Sequence, residues 1–333
     1  MRVVASAPGK LVLLGEYAVL YGAPALVVAI NRHCSAQIEL SIDESCHIQV
    51  CLPQLQERSF RGAGYSGFKL IDLVTGIGDP VQRPPWRARL DSSEFFSGAT
   101  KLGLGSSASA LTAWAGAWAT YTAQLAPNGD GTSIQALIDL HREFQGGAGS
   151  GLDIAASLIG GVLTYRLGPD SVPAVSSVAL PNSVRFTGIF TGKAASTRDL
   201  VSAFSEWRSA RPIEAEQHLQ VLSQIAEEGC NAVRENDAPD FLAALASYGQ
   251  RLQTLGETIG SDIVSREHQE IAQQARRFDI VYKVSGAGGG DLGVAVSDDP
   301  DALAAFKASI AADYSVIDLD RANTGLTVKE QLD

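Results

Sequence analysis

Long apolar runs, an excess of basic residues and paired cysteines are all missing from this chain of 333 residues. The uncharged stretch 17–31 contains Gly22 and Pro24 and is too short to span a bilayer, so no membrane partner is expected. The segment VVASA at 3–7 resembles a cleavage site, but Lys10 and Glu16 interrupt the apolar character that a leader would need. The expectation is a cytoplasmic protein. Lysine and arginine number 26 against 37 acidic residues, a net charge of -11, which argues against a nucleic-acid surface. A local group of cations can still hold a small anion. Cys34, Cys46, Cys51 and Cys230 form no CxxC pair, so buried reduced thiols are expected rather than zinc or disulfides. The five histidines are scattered, which suggests no metal cage. The P-loop pattern GxxxxGK[ST] is absent, and so are repeats and low-complexity segments.

What is present is a globular composition, 45% hydrophobic and 19% charged, on a chain long enough for two domains. Strand patterns fall at 3–6 and 11–14, separated by Pro8 and Gly9, and at 25–30, 36–41 and 48–52. Helical patterns follow at 106–125, 133–144 and 153–158, then a strand at 161–166. Residues 169–181 read as a linker. Beyond it come a strand at 185–190, helices at 214–234, 239–255 and 265–277, strands at 280–284, 293–297 and 314–318, and a helix at 302–312. The change of pattern sets the expected domains at 1–175 and 176–333.

Three glycine-bearing loops stand out. SAPGKLVLLGEYAVLYG (6–22) turns at Pro8 and Gly9 and delivers Lys10 to the start of a strand. KLGLGSSASAL (101–111) opens a helix; its glycines permit positive φ, and Ser106 or Ser107 can cap the helix. That arrangement serves a phosphate or simply starts a helix. KVSGAGGGDLGVAV (283–296) crowds four glycines into one loop between two strands, more than a turn requires, which points to close approach of a ligand. A helix N-terminus contributes only ~0.3–2 kcal/mol to anion binding. Micromolar affinity needs roughly 8 kcal/mol. Several loops and lysines must therefore act together.

PGKLVLLGEYAVLYG, GLGSSASA and SGAGGGD, in this order and spacing, resemble the three signature motifs of the GHMP kinases. The resemblance covers nearly the whole chain. It implies two α+β domains, an N-terminal α/β domain carrying the first two motifs and a ferredoxin-like C-terminal domain carrying the third, with the active site in the cleft between them. Asp291 at the end of GAGGGD, TGKAASTRDLV from Thr191, and QGGAGSGLDIAASLIGG at 145–161 resemble the branch of the family that acts on 5-phosphomevalonate. The activity implied is ATP-dependent phosphorylation of 5-phosphomevalonate to 5-diphosphomevalonate with Mg2+, by a monomer or homodimer. Mevalonate or another small acceptor is the alternative within the family. A ligand-sensing protein on the same scaffold is the alternative outside catalysis, and the joint presence of Lys10, Ser107 and Asp153 argues against it.

By that resemblance, Gly103, Leu104, Gly105, Ser106, Ser107 and Ala108 wrap the nucleotide phosphates. Ser107, or else Ser106, binds Mg2+. Lys10 and Asp153 face the transferred group. Lys101, Lys193 and Arg198, with Ser150, Gly151, Ser196 and Thr197, are the expected contacts of the acceptor. Gly286, Ala287, Gly288 and Gly289 complete the substrate site. The magnesium carboxylate found ahead of the equivalent of Asp153 in mevalonate kinases would fall in HREFQ, on His141, Arg142 or Glu143. His141 and Arg142 are read as helix-surface residues. Tyr17 either meets the substrate or packs.

Overall fold

The computed structural model describes residues 1–61, 65–76, 84–122, 134–147, 149–168 and 170–331. In the N-terminal part, β1 (Arg2–Leu14) and β2 (Pro24–Leu40) make a long antiparallel pair. The break expected at Pro8 and Gly9 is a shift in register within one strand: Pro8 pairs with His33 and Gly9 with Ile30. Such a bulge re-aims the following side chain, here Lys10. Strands β3 (Cys46–Leu52), β4 (Gln54–Phe60) and β5 (Trp86–Asp91) extend the sheet, with helix α1 (Lys69–Thr75) between the last two. A short hairpin, β6 (Phe96–Ser97) and β7 (Thr100–Lys101), leads into α2 (Ser106–Thr122). Next come α3 (Ile134–Gln145), α4 (Leu152–Ile159) and β8 (Val162–Leu167). The expected end of the first long helix at 123–125, and the start of the next at 133, lie outside the described residues.

Residues 170–181 are not a linker. They contain β9 (Pro173–Val178), which pairs antiparallel with β8 and is only half-buried. Its alternating pattern belongs to an edge strand with one wet face.

The C-terminal part runs β10 (Arg185–Phe190), α5 (Thr197–Ala210), α6 (Pro212–Arg234), α7 (Ala238–Ile259), α8 (Arg266–Arg276), β11 (Val281–Val284), β12 (Leu292–Ser297), α9 (Pro300–Ile310) and β13 (Ser315–Ile317). Its strands lie in the order β11-β12-β10-β13, all antiparallel, which is the ferredoxin-like arrangement expected. The last strand, β14 (Thr327–Gln331), returns to pair with β1, so the chain's end joins the first sheet.

Helix α2 is nearly buried all round and rich in Ala and Ser, as a central helix should be. Ser109 ties it down: its hydroxyl donates to the Ala7 carbonyl at 2.6 Å and accepts from the Cys34 N–H at 3.1 Å. The start of α2 is thereby fixed beside β1, where the Lys10 N–H donates to the Leu104 carbonyl at 2.9 Å. All four cysteines are buried and free. Among the described residues, no helix is long and apolar enough to cross a membrane.

Candidate functional site

The three glycine loops meet at one cavity of about 1050 Å3 between the two parts of the chain. That is room for a nucleotide and a small acceptor together. Lys10 reaches it from β1, Gly103, Gly105 and Ser107 from the start of α2, Ser150 and Asp153 from the start of α4, and Ser285–Gly288 and Asp291 from the third loop. Lys101, Ser196, Thr197 and Arg198 also line it.

Lys10 sits at the centre. Its Nζ lies 3.4 Å from the Gly103 carbonyl, and a side chain on Gly286 would start 3.7 Å from that nitrogen. Burial pulls the ammonium's pKa below the ordinary lysine value, while the charges of Asp153, Glu16 and Asp291 oppose that shift. Lys10 thus stands as an ammonium between two glycine loops, with the Lys101 charge also within electrostatic reach and Glu16 already paired with Lys283.

The start of α2 is assembled differently from the expectation that a serine caps it. The Gly105 carbonyl accepts the Ser109 N–H, so Gly105, at φ 83°, stands at the cap position. Ser106 is buried inside the first turn, whereas the Ser107 hydroxyl lies 3.1 Å from His141 Nε2. Leu104 and Ala108 are buried beneath the loop rather than on the cavity surface.

His141 is not a helix-surface residue. It is 3% exposed, stacks on Phe144, and places Nδ1 3.6 Å from Asp153 Oδ2. The signal was present in the sequence: His141 follows the buried Leu137 and Ile138 by four and three residues, on the apolar face of α3. Arg142 is not free on the surface either, since its Nε donates to the Gly149 carbonyl at 2.9 Å and so braces the loop before Ser150. Gly151 takes φ 84° with Ile138 packed where a Cβ would stand, so it lets α4 close on α3.

The third loop divides its glycines between ligand and protein. A Cβ on Gly288 would meet the Ile263 carbonyl at 2.1 Å, and one on Gly290 the Lys193 carbonyl at 2.9 Å. These two serve packing of the chain on itself, a structural return that the sequence reading did not credit. Gly289 donates its N–H to the Ile263 carbonyl at 2.9 Å and does not line the cavity. Behind the loop, His268 is fully buried: its Nε2 donates to the Gly290 carbonyl and its Nδ1 accepts from the Tyr282 hydroxyl, each at 2.8 Å. Burial lowers its pKa to about 4.

Three further ties hold the loop to the first motif. The Tyr17 hydroxyl donates to the Ala287 carbonyl at 2.6 Å, which places this buried tyrosine on the cavity wall as a latch. Lys283 and Glu16 form an ion pair buried on both sides, and Glu16 Oε2 has no hydrogen-bond partner. Ser285 Oγ also donates to the Val12 carbonyl at 3.0 Å.

The acceptor-side candidates separate into two groups. Asp291 accepts the Ala195 N–H at 3.1 Å and steadies the turn before α5, where Ser196 caps the helix by accepting the Asp199 N–H at 3.2 Å. The start of α5 therefore points Ser196, Thr197 and Arg198 at the cavity, with Arg198 Nη2 donating to the Gln145 carbonyl at 3.3 Å. Lys193 instead turns away and pairs with Glu267 in solvent. Among the described residues, no group of three or more His, Cys, Asp or Glu gathers into a metal cage.

Residues 231–316 match the family model for the C-terminal domain of GHMP kinases. A phosphomevalonate kinase of Streptomyces sp. (strain CL190) is 25% identical over 89% of this chain and 90% of its own. A mevalonate kinase of Thermococcus sibiricus is 25% identical over 95% of this chain and 96% of its own. Among solved structures, Streptococcus pneumoniae phosphomevalonate kinase in complex with phosphomevalonate and AMPPNP superposes with a TM-score of 0.78 at 20% identity, covering 96% of this chain and 99% of that one.

Proposed function

We propose that this chain, a GHMP kinase by its C-terminal domain and its fold, transfers the γ-phosphoryl group of ATP to 5-phosphomevalonate. The observation that carries the reading is the meeting of three glycine loops with Lys10, Ser107 and Asp153 around one cavity.

Phosphoryl transfer asks a protein mainly for positioning and charge compensation. Gly103 and Gly105 would let the chain approach the nucleotide phosphates closely. An acceptor phosphate oxygen would attack the γ-phosphorus as its bond to the ADP oxygen breaks. The acceptor is largely deprotonated near neutral pH, so little general-base work is needed. The harder task is to bring two anions together. Lys10, between the second and third loops, would offset that repulsion. Asp153 would orient the acceptor.

The donors at Ser107 fit Mg2+. The Ser107 hydroxyl would hold the ion beside the Asp153 carboxylate, a small set of oxygen donors that suits an ion which keeps water and nucleotide oxygens in its shell. When bound, the ion neutralises charge on the phosphates. Acceptor recognition is assigned to the start of α5, with Ser196, Thr197 and Arg198, and to Lys101 and Ser150 across the cavity.

Mevalonate is the second reading, favoured by the relatives of that name at equal identity. An alcohol acceptor would make Asp153 a general base. Phosphorus NMR of the product separates the two. The proposal expects the coupled resonances of a P–O–P linkage; a phosphate monoester resonance from mevalonate alone would overturn it.

A further inference from the structure

One buried polar side chain behind the cavity wall has no part in the chemistry above. His141 has both ring nitrogens engaged: Nε2 lies 3.1 Å from Ser107 Oγ and 3.3 Å from Gln145 Nε2, and Nδ1 lies 3.6 Å from Asp153 Oδ2. With the Gln145 amide nitrogen turned to the ring, the Nε2 lone pair is the acceptor shared by that amide and the Ser107 O–H, which assigns the ring proton to Nδ1 on the side of the Asp153 carboxylate. The Ser107 O–H is then turned toward Nε2. That leaves the lone pairs of the serine oxygen for the cavity, where a hard cation requires them. A ring that were mere filling would not place one nitrogen on each of these two side chains.

We infer that His141 is a positioning residue that sets the Ser107 hydroxyl as an oxygen donor and holds the Asp153 carboxylate in register with it. The inference rests on the kinase reading above. Groups that orient metal ligands from behind change metal affinity or activity by about 10–100-fold when removed.

The test compares His141→Phe, which keeps a packed ring but accepts nothing, with His141→Gln, whose amide oxygen can accept from Ser107. Calorimetry gives the affinity for ADP with and without Mg2+, and steady-state kinetics gives kcat and KM. For His141→Phe the Kd of Mg2+·ADP should rise about 10–100-fold and kcat should fall comparably, while metal-free ADP binds as before. His141→Gln should recover most of the loss. In the Ser107→Ala background, His141→Phe should cost little more, because the effect passes through the serine. If His141→Phe does not unfold cooperatively, His141→Leu takes its place in every arm.

Unchanged Mg2+·ADP affinity would overturn the inference. So would equal losses with and without metal, equal losses in the Phe and Gln variants, or full additivity with Ser107→Ala. A wild-type chain that binds no nucleotide in either condition would remove the kinase reading itself, and this inference with it.

Discussion

The two walls of the cavity are built on different principles. The wall from the first sheet presents half-buried side chains backed by buried ones: Lys10, Ser107 and Asp153 stand in front of His141 and of the Ser109 tie of α2. The wall from the C-terminal part presents backbone and exposed side chains, with Ser196, Thr197 and Arg198 in solvent contact. Each wall has one buried histidine. His141 touches groups at the cavity, whereas His268 stands behind its loop and hydrogen-bonds to the Tyr282 hydroxyl and the Gly290 carbonyl. On the proposed function, phosphoryl transfer falls to the half-buried wall and acceptor choice to the exposed one.

The largest expected effect comes from breaking what joins the walls. Lys283→Met leaves the Glu16 carboxylate buried without its partner and should cost about 3–5 kcal/mol, read from urea unfolding. An unfolding curve like that of the wild type would mean that water or another cation satisfies Glu16. Within the first wall, Lys10→Met should lower kcat by about 10²–10³-fold, and Asp153→Asn should lower it no more than that. A larger loss at Asp153 would point to general-base catalysis and so to an alcohol acceptor.

The two histidines sharpen the comparison through pH. His268 stays neutral in the folded chain down to about pH 4, while in the unfolded chain it binds a proton near 6.5. Its contribution to stability is present above pH 6.5 and is lost as pH falls from 6.5 toward 4, to the extent of roughly 3 kcal/mol. Urea midpoints across that range should show the loss, and His268→Gln should flatten it. A curve unaltered by the substitution would place the pH dependence elsewhere.

The smallest effects test the exposed wall. Arg198→Ala should raise the acceptor KM by about tenfold with little change in kcat, as expected for a charged hydrogen bond to phosphate. Lys193→Ala should change KM by less than about fivefold, because its exposed pair with Glu267 is a weak surface interaction. The reverse ranking would return Lys193 to the acceptor site.

Much of this site is legible in the sequence because glycines mark where a backbone must bend or approach closely. The three loops and the helix at 106 can be read that way, whereas β9 and β14 join the first sheet from beyond or across the boundary expected at 175/176. What escaped has physical reasons. Pro8 reads as a break in a strand, yet a shift in pairing carries the strand past it. The edge strand β9 reads as linker because its two faces differ in solvent exposure. Helix α5 has a single fully buried residue, Phe204, and so lacks a strong apolar stripe. His141 lies on the apolar face of α3, but its partners Ser107 and Asp153 are 34 and 12 residues away, and only the fold brings them together. The pairing of Glu16 with Lys283, 267 residues apart, could not be anticipated from either motif alone.

The proposed kinase takes an acceptor that is already phosphorylated. ADP release measured side by side with 5-phosphomevalonate and mevalonate tests it most directly. Turnover is expected with 5-phosphomevalonate, at a kcat/KM at least about 100-fold above that for mevalonate, since mevalonate would leave unpaired the groups proposed for the acceptor phosphate. A preference for mevalonate, or nucleotide binding with no ADP released for either acceptor, would contradict it.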